Sequence, residues 1–439
     1  MKKVFAFCSL LFALCTGAPV RAATEIRDTE IEAALTQLIL PIARAADISD
    51  GRVRIHIIGD DDFNAFVSNG EDIFIYAGLL MRIKSAGALQ AVIAHEMGHM
   101  IGGHMAQMSA RIKAEMTRSL IMQALGVGLM VANPMAGAGL LAGSSGLAKQ
   151  SMLSFSRDEE RLADDAAINL LTKAGLDPNG LVEVLEQMQE ISGAAEARAN
   201  PHNTNHPLTG ERLKNVREKI KNSPPPAREM APPAPSQERG QFELVRAKLA
   251  GYLQSEQQIA NKYPTADKSN PAIYARAIRF MRSGNLAMAK TGTQTLISRQ
   301  PDSPYFYELL GDIEYQFGHY DDSVKAYEKA LGTEDRELGA NSAQIQTALA
   351  LVLSERGKPG DDQRAIELAK RAILTEPMPL SYWVLAKAYG DDDARSDWAR
   401  AEYYNLIKKE KETRKHAKSA QSKLPKSSPE YIKAGDLLK

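Results

Sequence analysis

The sequence predicts an α+β chain, in which a mostly helical metal-binding domain with a small sheet is followed by an all-α domain of helical repeats. Three observations predict it. The stretch Ala94 to Gly103 reads AHEMGHMIGG within an apolar, helix-forming run. Between residues 52 and 76, apolar and polar residues alternate as they do in strands. After a Pro-rich break, the chain repeats itself with a 34-residue offset, as stacked helical pairs do.

Composition bounds the function. At 439 residues with 25% charged and 44% hydrophobic residues, the chain has enough apolar material for two or three packed domains. Lys+Arg and Asp+Glu both number 54, so no basic field marks nucleic acid as a partner. The N-terminus has Lys2 and Lys3, an apolar run from Val4 to Thr16, and Val20-Arg21-Ala22. This order is that of a secretory signal peptide over 1–22, removed from the mature protein. Both cysteines, Cys8 and Cys15, lie in that segment. A mature chain without thiols must hold any metal with His, Glu and Asp.

Residues 24 to 49 carry Ile31, Leu35, Leu38 and Ile39 at helical spacing and predict an opening helix kinked at Pro41. Strands follow over Arg52–Ile58 and, as an antiparallel pair turning at Ser68-Asn69-Gly70, over Asn64–Phe66 and Asp72–Tyr76. The last of these, DIFIY, is a candidate open edge for an extended substrate, with a plain sheet strand as the alternative.

On a helix, His95 and His99 stand one turn apart, so both rings can meet one Zn²⁺ while Glu96 sits beside them as a general base. Gly98 leaves room for a neighbouring segment. A third imidazole six residues after His99 would complete a different ligand set, but residue 105 is Met. His104 falls one short and is expected to point elsewhere. The stretch 116–153 is rich in Gly, Ala and Met and is broken at Asn133-Pro134. It is read as a hairpin or loop that touches membrane or unfolded clients, against simple core helices.

Ser156 is placed to cap a helix with acidic residues in its first turns, and Gly175 to close it before Leu176-Asp177-Pro178. Glu160 is the chosen third zinc ligand. Asp164, one turn further, is placed to orient a ligand His through its second ring nitrogen. In the loop PHNTNHPL, His202 or His206 can reach the metal, and His206, held by Pro207, is the better candidate. Its role is either a fourth ligand in a resting state or a donor to the tetrahedral oxyanion.

Residues 223–240 (SPPPAREMAPPAPSQERG) read as an extended linker between a metallopeptidase domain over 23–222 and a repeat domain over 241–439. Ala277, Gly284 and Pro301 match Gly311, Gly318 and Asp335, the tetratricopeptide period. Tyr307, Leu310, Gly311, Tyr327 and Ala330 fit its packing positions. A third unit carries Ala365, Ala369, Ala372 and Pro377, with an insertion at Gly357 to Asp362, and a fourth begins at Tyr382 and Trp383. Such repeats stack into a concave peptide-binding surface. The Lys- and Ser-rich stretch 410–428 reads as a solvated end.

The set His95-Glu96-Met97-Gly98-His99 with Gly102 and His104, then Ser156 to Asp164 (SRDEERLAD), then Asn205-His206-Pro207 and Arg212, resembles the HtpX and CAAX-prenyl-protease family of zinc gluzincins. Motifs carry the resemblance over about 25 to 220, and architecture carries it beyond. It implies a zincin-like fold, one Zn²⁺ bound by His95, His99 and Glu160, Glu96 as the base that activates a zinc-bound water, and a loop His such as His206 that ligates zinc in a latent state. Taken with the leader and the repeats, it implies misfolded or stalled outer-membrane proteins as clients and docking of the repeats to the barrel-assembly machinery. The expected function is a zinc endopeptidase of the periplasm. The alternative is a chaperone or scaffold for outer-membrane protein assembly whose zinc site is latent.

Overall fold

The computed structural model describes residues 25–49, 52–68, 72–104, 156–196, 206, 210–223, 235–332 and 342–439. The expected signal peptide, the stretch 116–153, His202 and most of the Pro-rich stretch lie outside them. The chain forms two compact units: residues Ala34–Phe242 with the strand before them, and Glu243–Lys439 together with Arg27–Ala33.

In the first unit, β1 (Glu25–Ile26), β2 (Arg54–Ile58), β3 (Ala65–Ser68) and β4 (Asp72–Tyr76) form one sheet in the order β1-β2-β4-β3. β2 and β4 run parallel, with Arg54 opposite Asp72 and Ile58 opposite Tyr76. β3 and β4 form the expected antiparallel pair, Ala65 opposite Ile75 and Ser68 opposite Asp72. The DIFIY strand is therefore paired on both sides and is no open edge. Its alternation is that of an interior strand: Ile73 and Ile75 are buried, while Phe74 stacks between His56 and Phe66 on the other face.

The helix α1 (Thr29–Ala45) runs through Pro41, and Ile31, Leu35, Leu38 and Ile39 are all buried as their spacing requires. After the short α2 (Ala77–Arg82), α3 (Ala86–Ile101) starts at Ser85, whose side chain accepts the Ala88 N–H. α4 (Arg157–Lys173) starts with a reciprocal cap: Ser156 accepts from the Glu159 N–H and Glu159 from the Ser156 N–H. Gly175, with φ of +73°, ends it. α5 (Asn179–Glu196) and α6 (Gly210–Asn222) complete the unit, and α3 packs on α4, α5 and β3. Leu89 and Ile93 of α3 and Ile168 and Leu171 of α4 are fully buried, which fixes which faces of α3 and α4 look at each other.

The next helix, α7 (Pro235–Leu253), begins inside the stretch read as a linker. Helices then follow in pairs: α8 (Glu256–Lys262), α9 (Asn270–Arg282) with α10 (Leu286–Arg299), α11 (Pro304–Gln316) with α12 (Tyr320–Leu331), α13 (Ser342–Arg356) with α14 (Asp361–Thr375), α15 (Pro379–Tyr389) with α16 (Ala394–Leu406), and α17 (Glu410–Lys423) with α18 (Pro429–Asp436). The turn glycines Gly284 and Gly318 share φ values of +80° and +79°. Gly311 lies under the Tyr327 ring, where a Cβ would come within 2.8 Å of it. Ala365, Ala369 and Ala372 form the buried stripe of α14. Residues 410–428 are not a solvated end. α17 buries Thr413, Ala417 and Ala420 at helical spacing against α16, a stripe that small residues conceal within a Lys- and Ser-rich composition. Among the described residues no helix is long and apolar enough to cross a membrane.

Candidate metal centre

Two helices cross where their side chains are smallest. A Cβ at Gly98 would lie 2.7 Å from the Ala163 carbonyl oxygen, so glycine lets α3 and α4 touch backbone to backbone. That approach brings the polar residues of each helix into one buried layer: His95, Glu96 and His99 from α3, and Glu160 and Asp164 from α4, all at most 5% exposed.

The donor atoms converge. His95 Nε2 stands 3.1 Å from His99 Nε2 and 3.4 Å from Glu160 Oε2, and His99 Nε2 stands 3.5 Å from Glu160 Oε1. His206 adds Nδ1 at 3.3 Å from His95 Nε2 and 2.8 Å from Glu160 Oε1. One atom from each of these four residues lies within 4.8 Å of all the others. A tetrahedral ion with bonds of about 2.0 Å separates its ligands by about 3.3 Å, which is the spacing found here. Three imidazole nitrogens and a carboxylate, with no thiol, are a donor set that zinc accepts.

Charge supports the fit. Burial opposes ionisation of Glu160, yet hydrogen bonds from His206, His95 and His99 hold its carboxyl well below the usual range. Burial also opposes a charge on His206, but Glu96 and Glu160 outweigh it and push the ring up to about 10. His206 Nε2 lies 3.2 Å from Glu96 Oε1. The same carboxylates that raise His206 would favour a bound cation in its place.

Residues 29–220 match the model of peptidase family M48. This region is an M48 peptidase domain. Over 364 residues, 80% of this chain and 70% of the relative, the sequence is 26% identical to the beta-barrel assembly-enhancing protease of Escherichia coli K12. It is 28% identical to the mitochondrial metalloendopeptidase OMA1 of Schizosaccharomyces pombe over 42% of this chain and 51% of that one. It is also 30% identical to the metalloprotease LoiP of E. coli K12 over 36% and 59%. The chain is a zinc metallopeptidase.

Around the ligand atoms, the M48 domain supplies a second layer of contacts. Asp164 Oδ1 is 2.9 Å from His95 Nδ1, the orienting contact expected from its place one turn after Glu160. Two contacts escaped the sequence reading. Arg212, on α6, clamps Asp164 through Nε at 2.6 Å and Nη2 at 2.8 Å and stands 2.5 Å from Glu160 with Nη1. The signal was available, since two carboxylates one turn apart on a buried face need a buried cation. His104 was expected to point elsewhere. Instead, its Nδ1 lies 3.0 Å from His99 Nδ1, because α3 stops before it and the chain turns back.

Proposed function

We propose that this protein is a periplasmic zinc endopeptidase that degrades misfolded or stalled outer-membrane proteins and assists their assembly. The single observation that carries the chemistry is the convergence of His95 Nε2, His99 Nε2 and the Glu160 carboxylate on one buried point, with Glu96 next to His95 on the same helix. In this reading His95, His99 and Glu160 would hold Zn²⁺, which when bound would supply a more acidic water and a Lewis acid for the scissile carbonyl. Glu96 takes the water's proton and returns it to the leaving amine. Asp164 fixes the His95 ring, and Arg212 neutralises Asp164 and Glu160, so the ligands keep their positions as the base changes charge.

The client class rests on the similarity to proteases named for enhancing beta-barrel assembly, on the leader-like N-terminus, and on the helical pairs at tetratricopeptide spacing. Stacked pairs of this kind suit a peptide-binding or docking surface, here assigned to client chains and to the outer-membrane assembly machinery. Contact of 116–153 with membrane belongs to the same reading.

The test is Glu96→Gln. Zinc content stays at one per chain, and cleavage of an unfolded protein such as casein falls by about 10²–10⁴. Cleavage at the wild-type rate with zinc retained would remove Glu96 as the base.

His206 favours a second reading of the resting protein. It touches both the base and the Glu160 carboxylate, so the site as it stands is blocked, which suits a scaffold that holds clients before cutting them. His206→Ala then raises cleavage of casein. If His206 instead donates to the oxyanion, the same substitution lowers kcat with zinc unchanged.

A further inference from the structure

We propose that His104 is a positioning residue for the metal, holding His99 in the tautomer whose Nε2 faces the ion, and that the Gly102-Gly103 turn exists to deliver it. The inference rests on the metal reading of the cluster described above. On a continuous helix, residue 104 would stand about 140° around the axis from His99, out of reach. α3 instead ends at Ile101, Gly102 caps it by donating to the Gly98 carbonyl, and Gly103 takes φ of +64°. That left-handed step sends His104 back over the last turn. Its ring meets the His99 ring edge-on, with centroids 5.1 Å apart at 75°, and it is 3% exposed.

The two glycines have different tasks. Gly103 supplies the backbone angle. Gly102 supplies space: a Cβ there would lie 2.5 Å from His104 Nε2, 2.7 Å from Cε1 and 2.9 Å from Cδ2, inside the ring itself. Any side chain at 102 displaces the imidazole from His99.

Chemistry explains why a partner is needed. An imidazole that binds a metal through Nε2 carries its proton on Nδ1, and that N–H needs an acceptor in a site sealed from solvent. His95 meets this need with the Asp164 carboxylate, 2.9 Å from its Nδ1. His99, fully buried, meets it with His104 Nδ1 at 3.0 Å. One ligand is held by an anion and the other by a second imidazole, so His104 orients His99 without adding a negative charge to a pocket that already contains Glu96, Glu160 and Asp164.

The experiment measures zinc affinity of the full chain by competition with a chromophoric chelator, together with thermal melting of the metal-free protein. His104→Phe keeps the bulk and removes the acceptor. It weakens zinc binding about 10–100-fold while the metal-free melt stays near wild type. His104→Asn, whose Oδ1 falls near the place of Nδ1, recovers most of the loss. Gly102→Ala weakens zinc in the wild-type background and adds nothing in a His104→Ala background, where no ring is left to displace. This pair keeps the proposal testable even if His104→Phe fails to fold. Wild-type affinity in a folded His104→Phe protein, or His104→Asn binding as weakly as His104→Phe, overturns the proposal. A wild-type chain that takes up no zinc overturns both this inference and the metal reading beneath it.

Discussion

At the crossing of α3 and α4, His95, His99 and Glu160 are 5%, 0% and 1% exposed, and one donor atom from each lies, with one from His206, within 4.8 Å of the others. In the helical unit, Lys248 and Glu30 are as deeply buried, 4% and 2% exposed, but the arrangement differs. Lys248 Nζ itself occupies the middle, 2.8 Å from Asp28, 3.2 Å from Glu30 and 3.6 Å from Glu308, and the Tyr274 hydroxyl donates to Glu30 at 2.6 Å. Both regions bury several charges. One gathers donor atoms of His95, His99, Glu160 and His206 around a point, with Arg212 behind them, while the other gathers carboxylates around the Lys248 ammonium. The comparison teaches that a buried cluster of ionisable groups is read by its arrangement: donor atoms of several side chains around one point suit a metal, whereas carboxylates around an ammonium are an internal ion pair.

The largest effect expected from breaking this contrast is at the internal cation. Lys248→Met leaves Asp28, Glu30 and Glu308 with no counter-charge and destabilises the helical unit by about 3–5 kcal/mol, read from denaturant unfolding. Zinc content per folded chain stays unchanged. A smaller loss is expected from Gly98→Ala, whose added methyl meets backbone atoms of Ala163 at 2.7 and 3.0 Å and pushes α4 off α3. Its cost is about 1–3 kcal/mol in the stability of the peptidase unit, and unlike the lysine variant it also weakens zinc binding, because the proposed ligands lie on both helices.

The smallest and most specific effect is on pH. Burial is the main cause that raises Glu308 to about 8 and Asp312 to about 6, with Lys248 opposing it. Folded values above the unfolded ones mean that these carboxyls contribute stability at low pH that is lost as pH rises through about 6 to 8. Melting of the helical unit is therefore expected to fall across that window, whereas a carboxyl held low, as that of Glu160 is, contributes no loss there. A melting temperature flat from about pH 5.5 to 8.5 would contradict the raised carboxyls of Glu308 and Asp312.

Some of this was legible in the residues alone because it is local. His95 and His99 share a helix face by spacing, Ser156 announces the start of α4, and Glu160 with Asp164 follows one turn apart. The equal turn angles at Gly284 and Gly318 are likewise written in the 34-residue offset. Short-range geometry of this kind follows from helix periodicity and capping, which depend on neighbours in sequence. DIFIY could be an open edge or a plain sheet strand, and the sheet placed it in the interior, since alternation reports one buried face and says nothing of how many partners a strand has. The stripe in 410–423 was hidden because alanine buries well without raising mean hydropathy much.

By itself, the sequence determined which residue types could meet a metal, that no thiol beyond Cys15 would join them, and where the helices that carry them begin. Only the tertiary structure decided that Arg212 would neutralise the second layer, that His104 would return to His99, and that Lys248 rather than an ion would fill the other buried cluster. The reason is physical: spacing along one helix sets direction, whereas the balance of charge in a buried pocket depends on which distant segments share it, and that is settled only when the segments pack.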